Sequence, residues 1–389
     1  MRILLLAPHP FFQHRGTPLA EKALLEFLSS EEHEVDVLTY HEGEDVRIPG
    51  CRIHRIPPVP GVRNLQPGFS LKKILCDLVL LESAARLMRT GHYDLVHAVE
   101  ESVFIAALLG PIFGIPYIYD MDSSLAEQMM ERYPALRALG PALGLAERVA
   151  VRRSHGVLAV CRSIEEVARR HDPRQLVARV EDSTLLRGSD AAAAPLLPPG
   201  GPIVMYVGSL ETCQGIDLLL EGFAQALPRV PDARLVVVGG NATRIAKYSS
   251  HGARLNIASA LHFAGPQPVD QLGGYLRQAE VLVSPRLTGH NTPMKIYSYL
   301  DSGRPVLATR IPTHTQVLDD EIACLVAPRP EALADALVEL LGDPVRRAAL
   351  ASRARQRVDE MYTPAAAQRK LRTFYAAVQE GLRNGDSAA

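Results

Sequence analysis

Short apolar runs alternate along the chain with longer segments in which apolar residues recur every three or four positions. In the first half the short runs are Ile3–Leu6, Val35–Leu38, Arg52–Ile56, Leu95–Ala98, Tyr117–Tyr119 and Val157–Val160. Runs that are apolar at consecutive positions are typical of parallel strands covered by helices on both faces. The alternation therefore predicts βαβ units and parallel sheets.

The alternation is interrupted once, where alanine, proline and glycine accumulate between residues 191 and 202. It then restarts with the runs Ile203–Val207, Arg234–Val238, Leu261–Phe263, Val281–Ser284, Val306–Thr309 and Cys324–Val326, and ends in a helical pattern over Pro364–Leu382. We interpret the interruption as an interdomain linker. This predicts a first domain over residues 1–190 and a second over residues 191–363.

Two similar halves joined by a short linker predict an α/β protein of two Rossmann-like domains, with parallel sheets that face an interdomain cleft. Ligands of open parallel sheets bind beyond the carboxyl ends of the strands. The residues that directly follow the predicted strands are therefore the candidates for a functional site.

Composition narrows the class of protein further. A length of 389 residues suits two domains, and a net charge of −1 gives no support for a nucleic-acid partner. The five cysteines are scattered without a CxxC pair, so neither a zinc site nor a disulfide framework is indicated. The chain has no run of 18 apolar residues, and Met1–Ala7 is better explained as a buried strand than as a signal peptide. We expect a cytoplasmic protein.

The first candidate segment follows the first predicted strand. Gly16 precedes Thr17 and Pro18, which suit the N-cap and first position of a helix. The free N–H groups of that helix could meet an anion, and an ordinary turn explains the segment equally well. No GxGxxG motif follows the strand, which disfavours a nicotinamide dehydrogenase.

Acidic residues follow two neighbouring strands of the first half. His97, Glu100 and Glu101 belong to one segment, and Asp120 and Asp122 to the next. Glu101 could instead cap the following helix. The Asp120-Met121-Asp122 triplet also has the D-x-D form of metal-dependent, single-domain glycosyltransferases, but the second α/β half argues against that class. We therefore predict that at least one of these acids is functional.

The second half contains a loop typical of a phosphate site. The strand at Val281–Ser284 leads through Arg286 to Thr292 and Pro293, which are predicted to begin a helix. A capped helix that follows a glycine-containing loop can hold a phosphate at its N-terminus, although a structural turn is the alternative. Gly208 and Gly215 flank a matching loop after Ile203–Val207 and permit a close backbone approach to a ligand.

The segments Tyr206–Leu219 and Ser298–Thr309 resemble the donor domain of glycosyltransferase family 4. The resemblance covers essentially the whole second half and is looser in the first half, at Gly16, His97 and residues 116–122. It implies the GT-B fold, transfer with retention at the anomeric carbon, a nucleotide-diphosphate sugar as co-substrate, and no cofactor or metal. It also implies that the last helix, over 364–389, packs back on the first domain.

The chain departs from this family at its charged donor contacts. The family usually has an arginine and a lysine on the donor diphosphate, where this chain has Ser209 and Gln214. Two family glutamates fall on His290 and Ser298, and a family histidine falls on Asp122. We expect a divergent member that keeps the framework of the family and replaces these contacts.

The resemblance and the loops together imply a set of site residues. The catalytic candidates are Asp122, His290, Glu101 and His97. The donor-binding candidates are Gly16, Gly208, Ser209, Gln214, Arg286, Asn291, Thr292, Pro293, Met294, Lys295 and Ser298. Among them, Lys295 and Arg286 are predicted to take over the diphosphate.

Other functions and partners stay open at this point. A catalytically silent nucleotide-sugar binder, or a nucleotide-sugar epimerase on the same fold, would carry the same motifs. The acceptor could be a saccharide, a lipid or a small molecule. A helical face near residues 70–89, with Leu71, Leu75 and Leu78, could touch the inner face of a membrane, but packing on its own sheet is the favoured explanation.

Overall fold

The computed structural model describes residues 1–13, 16–63, 65, 70–187, 194–197 and 200–386, with the backbone alone for 131, 132, 134–136, 385 and 386. The chain divides into two compact units. Unit 1 comprises Met1–Glu181 and the chain from Gln368 onward, and unit 2 comprises Asp182–Ala367. The predicted linker at 191–202 falls partly on residues 191–193, 198 and 199, which lie outside the described residues.

Unit 1 is built on one parallel sheet. Its strands are β1 (Arg2–Ala7), β2 (Glu34–Thr39), β3 (Cys51–Arg55), β4 (Leu95–Val99), β5 (Tyr117–Met121), β6 (Val157–Ala159) and β7 (Val177–Arg179). Across the part of unit 1 that is described, they lie in the order β3-β2-β1-β4-β5-β6-β7. The order reverses direction between β1 and β4, which is the point where doubly wound sheets bind their ligands.

Helices cover both faces of this sheet. They are α1 (Gly16–Ser30), α2 (Leu71–Thr90), α3 (Ser102–Phe113), α4 (Leu125–Arg132), α5 (Gly140–Arg153) and α6 (Arg162–His171). One core contains α2, α3, α5 and α6, because residues such as Cys76 and Leu80 turn inward at helical spacing. The other core contains α1 and the last helix of the chain, through Phe27 and Phe374.

Unit 2 repeats this architecture. Its strands are β8 (Ile203–Val207), β9 (Arg234–Val238), β10 (Leu261–Gly265), β11 (Val281–Ser284), β12 (Val306–Thr309) and β13 (Cys324–Val326). In the described part of unit 2 they form a parallel sheet in the order β10-β9-β8-β11-β12-β13, which reverses between β8 and β11. Both units are therefore Rossmann-like, as predicted.

The helices of unit 2 complete two further cores. They are α7 (Ile216–Ala226), α8 (Ala242–Arg254), α9 (Leu272–Leu276), α10 (Lys295–Asp301), α11 (Pro312–Thr315), α12 (Pro330–Gly342) and α13 (Pro344–Met361). Tyr248 packs in the core on one side of the sheet, and Tyr297 and Tyr299 pack in the core on the other. The last helix, α14 (Pro364–Asp386), belongs to unit 1 from Gln368 onward.

The division between the units differs from the predicted boundary at residue 190. The Thr184 hydroxyl donates to the Asp301 carboxylate at 3.0 Å, and the Leu185 N–H donates to the Ser298 hydroxyl at 3.1 Å. Arg187 adds an ion pair with Asp301 at 2.6 Å. These bonds attach the segment after Glu181 to α10, which explains why it belongs to unit 2.

The apolar face predicted for α2 is only partly buried. Cys76, Leu80, Ala84 and Met88 face the core of unit 1, whereas Leu71, Leu75 and Leu78 are 79%, 49% and 59% exposed. The apolar residues of this helix thus lie on two sides of it. Among the described helices, none is long and apolar enough to cross a bilayer. Peripheral membrane contact through α2 stays a prediction.

Candidate functional site

Several of the predicted donor residues lie at the carboxyl ends of β8 and β11, where the strand order of the unit 2 sheet reverses. Gly208 directly follows β8, and Arg286 follows β11 after a single proline. Lys295 is the first residue of α10, and Gln214 ends a short 3₁₀ turn before α7. Two segments that are far apart in the sequence therefore contribute to one edge of the sheet.

Lys295 is held by neutral groups. Its Nζ atom donates to Gln214 Oε1 at 3.0 Å and lies 3.9 Å from the centroid of the Tyr206 ring. The Tyr206 hydroxyl donates to the Ser209 carbonyl oxygen at 2.6 Å and lies 3.3 Å from Gln214 Oε1. A Cβ atom at Gly208 would lie 3.0 Å from the lysine Nζ, so glycine leaves room for this cation. A cation over an aromatic face is attracted by the ring quadrupole.

Arg286 is the second cation of this edge. The residue is 9% exposed, and its Nε donates to the Thr288 carbonyl oxygen at 2.7 Å. Burial lowers the pKa of Arg286. Burial, followed by the charge of Arg286, lowers the pKa of Lys295 well below its usual value.

Neither cation forms an ion pair with an acidic residue in the part of the chain that the structure describes. Two largely buried cations without a carboxylate are unfavourable in the free protein, because each loses hydration without a compensating charge. A bound anion would supply that charge. This edge of unit 2 is therefore suited to a diphosphate group.

Thr292 is not the N-cap of α10, contrary to the prediction. The helix begins at Lys295, and Met294 at its N-cap makes no side-chain capping bond. The Pro293 carbonyl oxygen instead accepts from the Ile296 N–H at 2.9 Å, so a tight turn precedes the helix. Thr292 is buried, and its hydroxyl has no partner among the described residues. Since the helix has only seven residues, side chains are the stronger source of positive charge here.

Ser298 faces the interior of unit 2. The residue is fully buried in α10, and its hydroxyl accepts from the Leu185 N–H. It fastens the 182–187 segment to the helix. The sequence does not reveal which side of α10 faces the core, and donor binding by Ser298 stays a prediction.

The remaining candidates of unit 2 lie in the loop before α10 and after β8. His290 and Asn291 form a partly buried bend, and the His290 carbonyl oxygen lies 3.5 Å from Gln316 Nε2. Pro293 is buried and Met294 is partly buried. Ser209 is exposed, next to Gly208. These residues lie beside the Lys295 edge in sequence, and their roles stay predictions.

In unit 1, the residue directly after β4 is Glu100, one of the four acids that the sequence singles out, although Glu101 is the catalytic candidate. Glu101 forms an ion pair with Lys73 of α2 and makes no capping bond to α3. Glu100 is partly buried, has a left-handed backbone with φ of 46°, and lies 3.5 Å from the Ser123 hydroxyl. Burial and the neighbouring Glu101 charge raise the pKa of Glu100 to about 7. Its position after a strand at the reversal point was the available signal.

His97 is enclosed by residues of unit 1. It lies within β4 and is fully buried. Its Nδ1 lies 2.6 Å from the Tyr375 hydroxyl of α14, and its Nε2 lies 3.0 Å from the Asp120 carboxylate. Alternation along the strand turns this ring toward the core that contains α14, and the catalytic role of His97 stays a prediction. Its contact instead orients the partly exposed Asp120.

Gly16 and Asp122 flank the same edge of unit 1. Helix α1 already includes Gly16, so Thr17 lies inside its first turn rather than at the N-cap. A Cβ atom at Gly16 would meet no atom within 4 Å, so packing does not require glycine there. Asp122 is partly buried in the bend after β5, and Ser124 caps α4 by accepting from the Glu127 N–H. No group of three His, Cys, Asp or Glu side chains suited to a metal ion occurs in the described ranges.

Comparison with solved structures defines the class of protein. Sucrose-phosphate synthase from Thermosynechococcus elongatus superposes with a TM-score of 0.78 at 20% identity, covering 98% of this chain and 99% of the other. Anabaena HepE in complex with UDP-glucose gives a TM-score of 0.71 at 17% identity, covering 97% and 100% of the two chains. At this level of identity the likeness shows the fold, which is the GT-B fold of glycosyltransferases.

Sequence comparison identifies the family. Residues 22–180 match the family described as "Glycosyl transferase 4-like domain", and residues 201–343 match "Glycosyl transferases group 1". D-inositol 3-phosphate glycosyltransferase from Acidothermus cellulolyticus is 28% identical over 358 residues, covering 83% of this chain and 77% of the relative. The chain belongs to glycosyltransferase family 4 and is a glycosyltransferase, as its motifs predict.

Proposed function

We propose that this glycosyltransferase takes its sugar from a nucleotide-diphosphate donor held at the carboxyl edge of the unit 2 sheet. The observation that carries the proposal is the pair of cations, Lys295 and Arg286, without an acidic partner beside Gly208. The diphosphate would neutralise the positive charges of both side chains. The likeness to HepE, which was solved with UDP-glucose, supports a donor of this type.

The absence of the family's usual arginine and lysine explains energetically why other cations should bind the diphosphate. Charge-assisted hydrogen bonds are worth about 1.5–3 kcal/mol each, so losing the arginine and lysine at Ser209 and Gln214 would cost roughly two to four decades of donor affinity. Lys295 Nζ lies 3.0 Å from Gln214 Oε1, so a charge is present beside the position of the missing lysine. Arg286 supplies a second positive charge.

Retention at the anomeric carbon is proposed from the family resemblance. In a retaining transfer the bond from the anomeric carbon to the diphosphate oxygen breaks, and the acceptor oxygen bonds to the same face of the sugar. Lys295 and Arg286 would stabilise the negative charge that develops on the departing diphosphate. His290 is proposed to lie near the sugar.

We propose a saccharide-type acceptor that binds to unit 1. Glu100 and Asp122 are partly buried carboxyl groups at the ends of neighbouring strands, and such groups accept hydrogen bonds from sugar hydroxyls. One relative is named for D-inositol 3-phosphate, which carries hydroxyl groups, and this agrees with a polyhydroxylated acceptor.

The test is turnover with a panel of UDP-, GDP- and ADP-sugars and a panel of saccharides and cyclitols. Acceptor-dependent release of nucleoside diphosphate, with the anomeric configuration of the donor kept in the product by NMR, is expected. Tight nucleotide-sugar binding without turnover would favour a silent binder. Conversion of the donor without an acceptor would favour an epimerase.

A further inference from the structure

A continuous chain of polar groups lies beneath the donor edge of unit 2, at the ends of β11 and β12. The Ser284 hydroxyl lies 3.0 Å from His314 Nε2, and His314 Nδ1 lies 2.8 Å from the Thr309 carbonyl oxygen. The Thr309 hydroxyl lies 2.5 Å from the Arg286 carbonyl oxygen. Ser284, Thr309 and His314 are all fully buried. The chain therefore ends on the backbone of a proposed donor-binding residue.

The partners fix the direction of each hydrogen bond. A carbonyl oxygen only accepts, so the proton of His314 is on Nδ1, which donates to Thr309. Nε2 is then an acceptor, and the Ser284 hydroxyl donates to it. The Thr309 hydroxyl donates to the Arg286 carbonyl oxygen and lies 3.1 Å from His314 Nδ1. Every link thus has a donor and an acceptor, which makes the arrangement specific.

His314 is neutral in this arrangement. Burial lowers its pKa to about 4, the bond to the Thr309 carbonyl opposes that shift, and the charges of Lys295 and Arg286 lower the pKa further. A protonated imidazole would donate from Nε2 as well, so the Ser284 hydroxyl would have to accept instead of donating, and the ring would add a third cation to the edge. A neutral ring therefore suits both the hydrogen-bond chain and the electrostatics.

We infer that His314, with Ser284 and Thr309, is a positioning residue that fixes the backbone of Arg286 so that its guanidinium stays available to the donor. The inference rests on the proposed donor site. Its geometric reason is that Arg286 leaves the sheet immediately after β11, where no strand pairing holds its carbonyl oxygen, and the Thr309 hydroxyl takes that place. A well-packed apolar pair would fill the same space but would not bind this carbonyl oxygen.

The matched variants are Thr309→Val, which keeps the shape and removes the hydroxyl, and Thr309→Ser, which keeps the hydroxyl. Calorimetric titration with UDP, and with GDP and ADP if UDP does not bind, is expected to show about five- to tenfold weaker binding for T309V. T309S is expected to bind more tightly than T309V. In an Arg286→Ala background T309V should have little further effect, whereas in a Lys295→Met background its full effect should remain.

A purely structural role predicts a different outcome. T309V would then weaken binding equally in both backgrounds, or lower the melting temperature without changing nucleotide affinity, and either result would overturn the inference. NMR gives a readout that needs no nucleotide. The His314 ring should stay neutral, with its proton on Nδ1, from pH 5 to 8, and the Arg286 Nε–H resonance should move in T309V more than in T309S.

A His314 ring that titrates near its usual pKa of about 6.5, or an Arg286 resonance that does not move in T309V, would contradict the inference even if nucleotides bind. Conversely, the expected resonances in a protein that binds no nucleoside diphosphate would support the positioning of Arg286 and refute the donor assignment. The two failures are therefore distinguishable.

Discussion

The Nζ atom of Lys295 lies 3.0 Å from Oε1 of Gln214, although the two residues belong to different loops of unit 2. Gln214 occupies the position at which the family resemblance implies a lysine on the donor diphosphate. Lys295, the first residue of α10, thus supplies a positive charge at the position where the loop before α7 lacks the lysine of the family. The glutamine side chain becomes a neutral support for that charge.

Donor affinity should depend on pH through Lys295. Burial lowers the pKa of this lysine in the free protein, and a bound diphosphate would raise it again. Nucleoside diphosphate binding should therefore take up a proton once the pH exceeds the pKa of Lys295 in the free protein, and affinity should fall as the pH rises further above that pKa. Calorimetry in buffers of different ionisation enthalpy measures the uptake. Lys295→Met should abolish it, and an uptake that persists in this variant would contradict the assignment.

Glu100 should make stability depend on pH. Its pKa of about 7 in the folded protein exceeds the usual 4.5, so the contribution of the protonated group is complete below pH 4.5 and is lost as the pH rises through 7. Glu100→Gln cannot ionise and should raise the melting temperature relative to the wild type more at pH 8 than at pH 5.

The comparison variant is Glu101→Gln, which breaks the ion pair with Lys73 and also removes the charge that raises the pKa of Glu100, so it should lower the melting temperature more at pH 5 than at pH 8. If the difference between Glu100→Gln and the wild type is the same at pH 5 and pH 8, Glu100 does not hold a raised pKa.

Gly215→Ala should be unusually destabilising. Gly215 has a φ of 71°, and a Cβ atom there would lie 2.0 Å from the carbonyl oxygen of Pro285, the residue before Arg286. Gly265 has a φ of 70° with no atom within 4 Å of such a Cβ, so Gly265→Ala measures the backbone strain alone. We expect about 1 kcal/mol for Gly265→Ala and at least about 2 kcal/mol for Gly215→Ala in denaturant unfolding. If both substitutions lower the free energy of unfolding equally, the backbone at Pro285 moves to make room for the added Cβ atom.

Asp122→Asn should reduce turnover by roughly tenfold or more without changing the melting temperature. The substitution keeps the size of the side chain and removes its charge at the end of β5, where the resemblance implies a catalytic histidine. Steady-state kinetics and thermal unfolding measure the two effects. Wild-type turnover in this variant would remove Asp122 from the proposed site, and inhibition by chelators would favour the metal-dependent D-x-D alternative.

The fold could be predicted from the sequence because buried parallel strands leave a direct signal. Every predicted apolar run overlaps a strand of the structure. Strand β7, over Val177–Arg179, is not among the predicted strands. The points at which the strand order of each sheet reverses follow from the parallel topology and not from any local motif.

The site could be predicted only as far as the strand ends. The sequence places Arg286 and Lys295 in the right loops, but the direction of a side chain depends on tertiary packing. Ser298 faces inward because Leu185 binds its hydroxyl, and His97 faces inward because Tyr375 binds its ring. Both partners are more than 100 residues away in the chain, so no local pattern reveals them.

The most direct test of the donor assignment is the affinity of a nucleoside diphosphate for Lys295→Met, measured by calorimetry at pH 7 with UDP, and with GDP and ADP if UDP does not bind. The control is Lys247→Met, since Lys247 also lies over a tyrosine ring, at 4.6 Å from the centroid of Tyr248, but is exposed. Lys295→Met should lose about tenfold to a hundredfold in affinity, and Lys247→Met should bind as the wild type does. Binding within twofold of the wild type for both Lys295→Met and Arg286→Ala would contradict the proposal that these cations hold the diphosphate.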